Sequence, residues 1–289
     1  MNNPEFTLTR YLYIKEDVFI SLIVSVFDKK YDESLFWASE LYYSELEKET
    51  ADFIYSIYRN FYYSNNPKLD KLMLRCIQQF DKGIYNIATM LLNLITKPRT
   101  FTLQHFMRHE IYPAAFENAS EKETKLWIYP YEKECEKYST EIIEKDQNRL
   151  YKLLQNVCKY KTDKRWCQVF ECVYKDMNYK DILLLQRDHW LYYASFTPLW
   201  EKRISKYNGD IDHKKREVSF KDDDNLENFY ELYGYDVDEQ PRELFDKISH
   251  TSILPKSSIN EFYKLYEPNK KIIKVKKLKR INKVCGECE

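Results

Sequence analysis

Through the N-terminal third of the chain, apolar side chains recur with the period of a helix, about 3.6 residues. Phe53, Ile54, Ile57, Tyr58, Phe61 and Tyr62 fall on one face of such a spiral. Leu69, Leu72, Met73, Cys76, Ile77 and Phe80 repeat the arrangement, as do Ile84, Ile87, Ala88, Leu91, Leu92 and Ile95. Between the stripes stand residues that end and start helices: Asn65-Asn66-Pro67, Asp81-Lys82-Gly83 and Lys97-Pro98. Val18 to Phe27 is an apolar run flanked by Asp17 and Asp28, about half the length a bilayer needs, and reads as a core helix. Helix starts near Asp32, Lys48, Pro67 and Gly83 make a helical pair recur about every 35 residues, close to the pitch of tetratricopeptide and HEAT arrays. Leu41 stands where the tetratricopeptide pattern has glycine, so the pairs are irregular and not in register.

Further on, the pattern becomes less even. Residues 112–138 contain Pro113 and Pro130 and read as a joint between two helical layers. Helical spacing returns at Leu150, Leu153, Leu154 and Val157, and again from Trp166 to Met177. A long helix is expected over Tyr179 to Ser195, continuing past Pro198 to Lys206. Residues 204–220 fit a small hairpin turning at Asn208-Gly209, and short helices are expected at Asn225 to Tyr233 and Arg242 to Ile248. The whole predicts an all-α, irregular, solenoid-like fold of antiparallel helical pairs. It divides into an N-terminal layer (1–111), a joint (112–138), a second layer with an acidic segment (139–250) and a basic tail (251–289).

Composition narrows the chemistry. Of 289 residues only four are glycine, where average usage gives about 20. Phosphate loops, dinucleotide fingerprints and nucleophile elbows need clustered glycines, and Gly83, Gly209, Gly234 and Gly286 each stand alone. The opening Met1-Asn2-Asn3-Pro4-Glu5 lacks a signal peptide's basic start and apolar core. An odd number of cysteines, seven, agrees with the reducing compartment that this implies. The 46 basic and 46 acidic residues cancel but are unevenly placed. Acids dominate from Asp210 to Glu239, whereas Lys270 to Lys283 holds eight bases and no acid, so the chain is dipolar.

Those eight bases are Lys270, Lys271, Lys274, Lys276, Lys277, Lys279, Arg280 and Lys283, a nucleic-acid-binding candidate through phosphate neutralisation and counterion release. Ile272, Ile273, Val275, Leu278 and Ile281 are interleaved, which also suits an amphipathic anchor, a strand added to a partner or a solvated tail. Cys285-Gly286-Glu287-Cys288 has the spacing of half a zinc site, with Cys285 and Cys288 as the two ligands. His105 and His109 have the spacing of two metal-binding imidazoles but read better as a polar helix face, with no third ligand in view. Asp210, Asp212 and Asp222 to Asp224 suit a solvated acidic loop better than a cation site. Tyr179, Leu184 and Leu185 match the Tyr-x4-Leu-apolar pattern by which translation scaffolds dock a cap-binding factor. Trp37, Tyr42, Tyr43, Trp190, Tyr192, Tyr193, Phe196 and Trp200 suit helix packing, with an exposed remainder for stacking or binding. Trp190, Tyr193 and Trp200 join the Tyr179 motif as the partner-binding candidates.

Three stretches, ESLFWASELYYS at 33–44, DHWLYYASFTPLW at 188–200 and YGYDVDEQP at 233–241, together resemble a helical protein family encoded by large nucleocytoplasmic DNA viruses, over about residues 18–248. The resemblance implies the cytoplasm of an infected cell, or the virion, and supplies no catalytic residue. The expected function is a non-enzymatic scaffold or adaptor for protein partners, with nucleic acid at the tail. Two alternatives are an RNA-associated factor in viral gene expression, such as a translation-initiation scaffold, and a virion structural component.

Overall fold

The computed structural model describes residues 4–100, 124–139, 144–145, 152–170, 172–249 and 256–267. These residues contain twelve α-helices and two small antiparallel pairs of strands. The N-terminal helices follow the apolar stripes: α1 (Lys15–Phe27), α2 (Tyr31–Tyr42), α3 (Glu47–Phe61), α4 (Asp70–Gln78) and α5 (Ile84–Thr96). Their boundaries have local causes. Pro67 opens a 3-10 turn ahead of α4, where its missing N–H costs nothing. Gly83 joins α4 to α5 at φ 118°, a conformation a β-carbon would strain.

A solenoid repeat is not shown among the described residues. α5 packs against α1, α2, α3 and α4 alike, so the helices close around it. In a linear stack each helix would meet only near neighbours. The reason lies in α5 itself, whose buried residues run without a break from Ile87 to Ile95, so it offers no solvent face.

Residues 5–14 form a buried strap that the periodicity gave no reason to expect. Leu8 bridges to Ile14, and Leu12 takes a left-handed conformation at φ 64° to turn the chain between them. On one side the strap meets α2. The Glu40 carboxylate accepts from Thr9 Oγ1 (2.7 Å), from the Tyr11 amide (2.9 Å) and from Arg10 Nε (3.0 Å), all of them buried. On the other side it meets the C-terminal half: Trp200 Nε1 donates to the Thr9 carbonyl (3.0 Å), and Gln186 Nε2 bridges the Leu12 and Ile248 carbonyls.

After the short α6 (Glu132–Cys135), β1 (Glu144–Lys145) pairs antiparallel with β2 (Lys152–Leu153). The helices expected from Leu150 to Val157 and from Trp166 to Met177 do not form; the described residues there are β2, turns and loops, and Leu150 lies outside them. Tertiary hydrogen bonds take the backbone instead. Lys152 N donates to the Gly234 carbonyl (2.7 Å), and the Gln240 side chain holds both Leu154 N and the Lys152 carbonyl. Leu154, Cys158, Trp166 and Cys167 are still buried, so their apolar character is satisfied without a helix.

The expected long helix is three: α7 (Tyr179–Asp188), α8 (Trp190–Ala194) and α9 (Pro198–Lys206). The hairpin is present as β3 (Gly209–Asp212) and β4 (Glu217–Phe220), with its turn four residues later than Asn208-Gly209 suggests. Asp212 Oδ1 accepts from Lys214 N and Lys215 N to shape that turn. Gly209 is needed for close approach, because a β-carbon there would lie 2.5 Å from Ile204 Cγ2. α10 (Asp223–Tyr233) and α11 (Arg242–Ile248) match the short helices expected, and Asp222 caps α10. Finally α12 (Ile259–Tyr266), opened by a Ser258–Glu261 capping box, returns Phe262 and Tyr266 to Phe27 of α1.

Candidate interaction sites

Of the partner-binding candidates, Trp190, Tyr193 and Trp200 lie inside the fold. Trp190 and Trp200 meet edge to face at 5.5 Å, and Tyr193 stacks on Phe6 of the strap at 4.2 Å. Tyr193 and Trp200 hold the strap against α8 and α9, and the three rings present no binding surface in this fold. Burying their large rings there lowers the free energy more than display at a surface would.

The Tyr179 motif begins α7, where Asn178 caps the helix by accepting from Lys180 N. Leu185 is half-buried against the core, whereas Leu184 is exposed. At about 100° per residue, Tyr179 and Leu184 point roughly 140° apart on this helix. The motif residues are therefore placed on different faces. The eight bases from Lys270 to Lys283, Cys285, Cys288, His105 and His109 lie outside the described residues. Among the described residues no group of three or more His, Cys, Asp or Glu is arranged to hold a metal. No described helix is long and apolar enough to cross a membrane.

Among the described residues, a run of exposed apolar side chains lies in the joint, which the sequence marked only as mixed. Leu126, Ile128, Tyr129 and Tyr131 are between 38% and 52% exposed, while Trp127 and Pro130 turn inward. Buried Asn93 on α5 fixes this ridge, its amide donating to the Ile128 carbonyl (2.7 Å) and its oxygen accepting from Ile128 N (3.1 Å). An extended segment held by its backbone can display large side chains without losing its own shape.

A second unanticipated constellation surrounds Asp32 in the first turn of α2. Its carboxylate accepts from Lys159 Nζ (2.7 Å), Tyr138 OH (2.9 Å), Tyr160 OH and Lys137 Nζ. Burial alone would raise the Asp32 pKa, but hydrogen bonds from Lys137, Lys159, Tyr160 and Tyr138 outweigh it and hold the carboxyl well below the usual range.

A third lies deeper. Buried Asp17 accepts from Tyr174 OH, and burial followed by the Asp17 charge raises the Tyr174 pKa. Lys164 donates to the Ser249 carbonyl, and burial pushes its ammonium down to about 8. Burial also pushes the neighbouring Cys167 thiol up to about 11. A phenol that donates to a carboxylate and a protonated thiol are structural ties, since activated nucleophiles need their pKa lowered.

Comparison of the chain with models of known protein families, with curated proteins and with solved structures gives no match.

Proposed function

We propose that the protein is a helical scaffold or adaptor, encoded by a large DNA virus, that binds protein partners through the ridge at residues 126–131. The observation that carries this reading is that four large side chains project from a backbone fixed by Asn93. Contiguous exposed apolar groups of this kind mark interaction sites, and tyrosine is enriched among residues that dominate binding energy. The inward positions Trp127 and Pro130 anchor the segment, so the outward four are available to a partner at little cost to the fold. The eight bases between Lys270 and Lys283 support a second contact, to nucleic acid, and an RNA-associated role in gene expression follows if that contact is to RNA.

The test is quantitative affinity purification from infected cells with the full chain as bait. A variant carrying Leu126→Ser, Ile128→Ser, Tyr129→Ser and Tyr131→Ser should keep its helicity and lose its stoichiometric partner. Recovery of the same partner in the same amount would overturn the reading.

A further inference from the structure

Four donors surround Asp32, as many as one carboxylate can accept, and they are unevenly shared between its oxygens. Oδ2 alone receives Lys159 Nζ, Tyr138 OH and Tyr160 OH, and Oδ1 receives Lys137 Nζ. A carboxylate oxygen has two lone pairs, so three donors crowd one atom. The charges are also unbalanced. Two ammonium groups meet one carboxylate, and the node sits in the first turn of a 12-residue helix whose dipole adds positive potential.

The two tyrosines do not depend on Asp32 for their positions. The rings of Tyr138 and Tyr160 stand edge-on to Phe36, one turn along α2, at 5.2 and 5.3 Å. Their carbonyls are tied as well, that of Tyr138 by Arg10 Nη2 (2.8 Å) and that of Tyr160 by Tyr13 OH (2.8 Å). The side chains of Asp32, Lys137 and Lys159 are 42–48% exposed, so solvent and solutes reach the node.

We propose that this node is a binding site for a phosphate-type oxyanion, with the Asp32 carboxylate as a built-in occupant that the ligand displaces. A phosphate offers three or more oxygens where the carboxylate offers two, and its second negative charge matches the second lysine. Such a group is inorganic phosphate or a phosphate monoester, since a nucleic-acid diester offers one charge and two free oxygens per phosphate. The site is separate from the ridge and needs no protein partner.

Calorimetric titration with inorganic phosphate tests it. Asp32→Asn removes the resident charge and should bind phosphate at least tenfold more tightly than the unaltered chain, and adding Lys159→Met should abolish that binding. Equal affinity in the two chains, or binding that survives Lys159→Met, would overturn the proposal. If Asp32→Asn does not fold, the unaltered chain decides. Phosphate should raise its thermal midpoint above that in chloride of equal ionic strength, and Lys159→Met should remove the difference; no difference overturns the proposal. Phosphoserine should compete with inorganic phosphate, and competition by oligouridylate but not by phosphoserine would overturn the proposal.

Discussion

The Glu40 carboxylate is the point at which the strap is joined to the helical bundle, and its replacement has a calculable consequence. Glu40→Leu leaves the Arg10 guanidinium, 2% exposed, without its carboxylate, and strands the Tyr11 amide and the Thr9 hydroxyl. Arg10 keeps its bond to the Tyr138 carbonyl and its stacking on Tyr11 and Tyr43, at 4.3 and 4.9 Å, which partly compensates. Removing one partner of a buried pair costs about 3–5 kcal/mol, and each stranded neutral donor adds about 1–3 kcal/mol where no water reaches it. A loss of about 5 kcal/mol or more is expected, read as a lower urea midpoint at unchanged slope. The double replacement Arg10→Met with Glu40→Leu should recover about 2 kcal/mol or more, because it removes the buried charge together with its partner. A single-variant loss under about 1 kcal/mol would show that the strap is not held through this carboxylate.

Other expectations follow from individual positions. The Glu16 pKa is raised from 4.5 to about 7 by burial, and its Oε2 has no hydrogen-bond partner among the described residues. The folded state thus holds this proton more tightly than the unfolded chain, so the contribution is complete below pH 4.5 and is lost as pH rises through 7. Glu16→Gln should match the unaltered chain at pH 4 and exceed its stability by about 2–3 kcal/mol at pH 8, measured by urea unfolding at both values. Gly83→Ala places a β-carbon at φ 118° with space around it, so the cost is backbone strain of about 1–3 kcal/mol, read as a lower thermal midpoint. Gln186→Leu removes the donor shared by the Leu12 and Ile248 carbonyls and should cost about 1–3 kcal/mol for each, with faster hydrogen exchange in the strap. Deleting residues 269–289 should remove salt-dependent RNA binding, and a binding curve unchanged at low salt would count against the tail.

Local patterns were legible where neighbours in sequence are also neighbours in space. The stripe from Ile84 to Ile95 defines α5, and Gly83 and Pro67 mark helix starts for reasons confined to a few residues, whereas Asp222 to Asp224, read as an acidic loop, cap and open α10. The same reasoning fails from Leu150 to Met177. The apolar spacing there is real, but backbone groups bond to Gly234 and Gln240 instead of closing helical turns. Burial of Trp190, Tyr193 and Trp200 was half visible, since large rings at helical spacing suit packing. The strap, more than 180 residues earlier in the chain, meets Tyr193 and Trp200.

By itself the sequence determined that the protein is mainly helical, where the N-terminal helices begin and end, and that acid and base are segregated along the chain. These depend on side-chain period, capping and charge, which act over a few residues. The closing of four helices on α5, the burial of the strap, the exposure of Leu126 to Tyr131 and the gathering of Lys137, Tyr138, Lys159 and Tyr160 at Asp32 were decided by tertiary structure. The Asp32 contacts span 105 to 128 residues, and nothing local distinguishes those lysines and tyrosines from the chain's many others. Hydrogen bonding and charge become specific only after packing has chosen which surfaces meet.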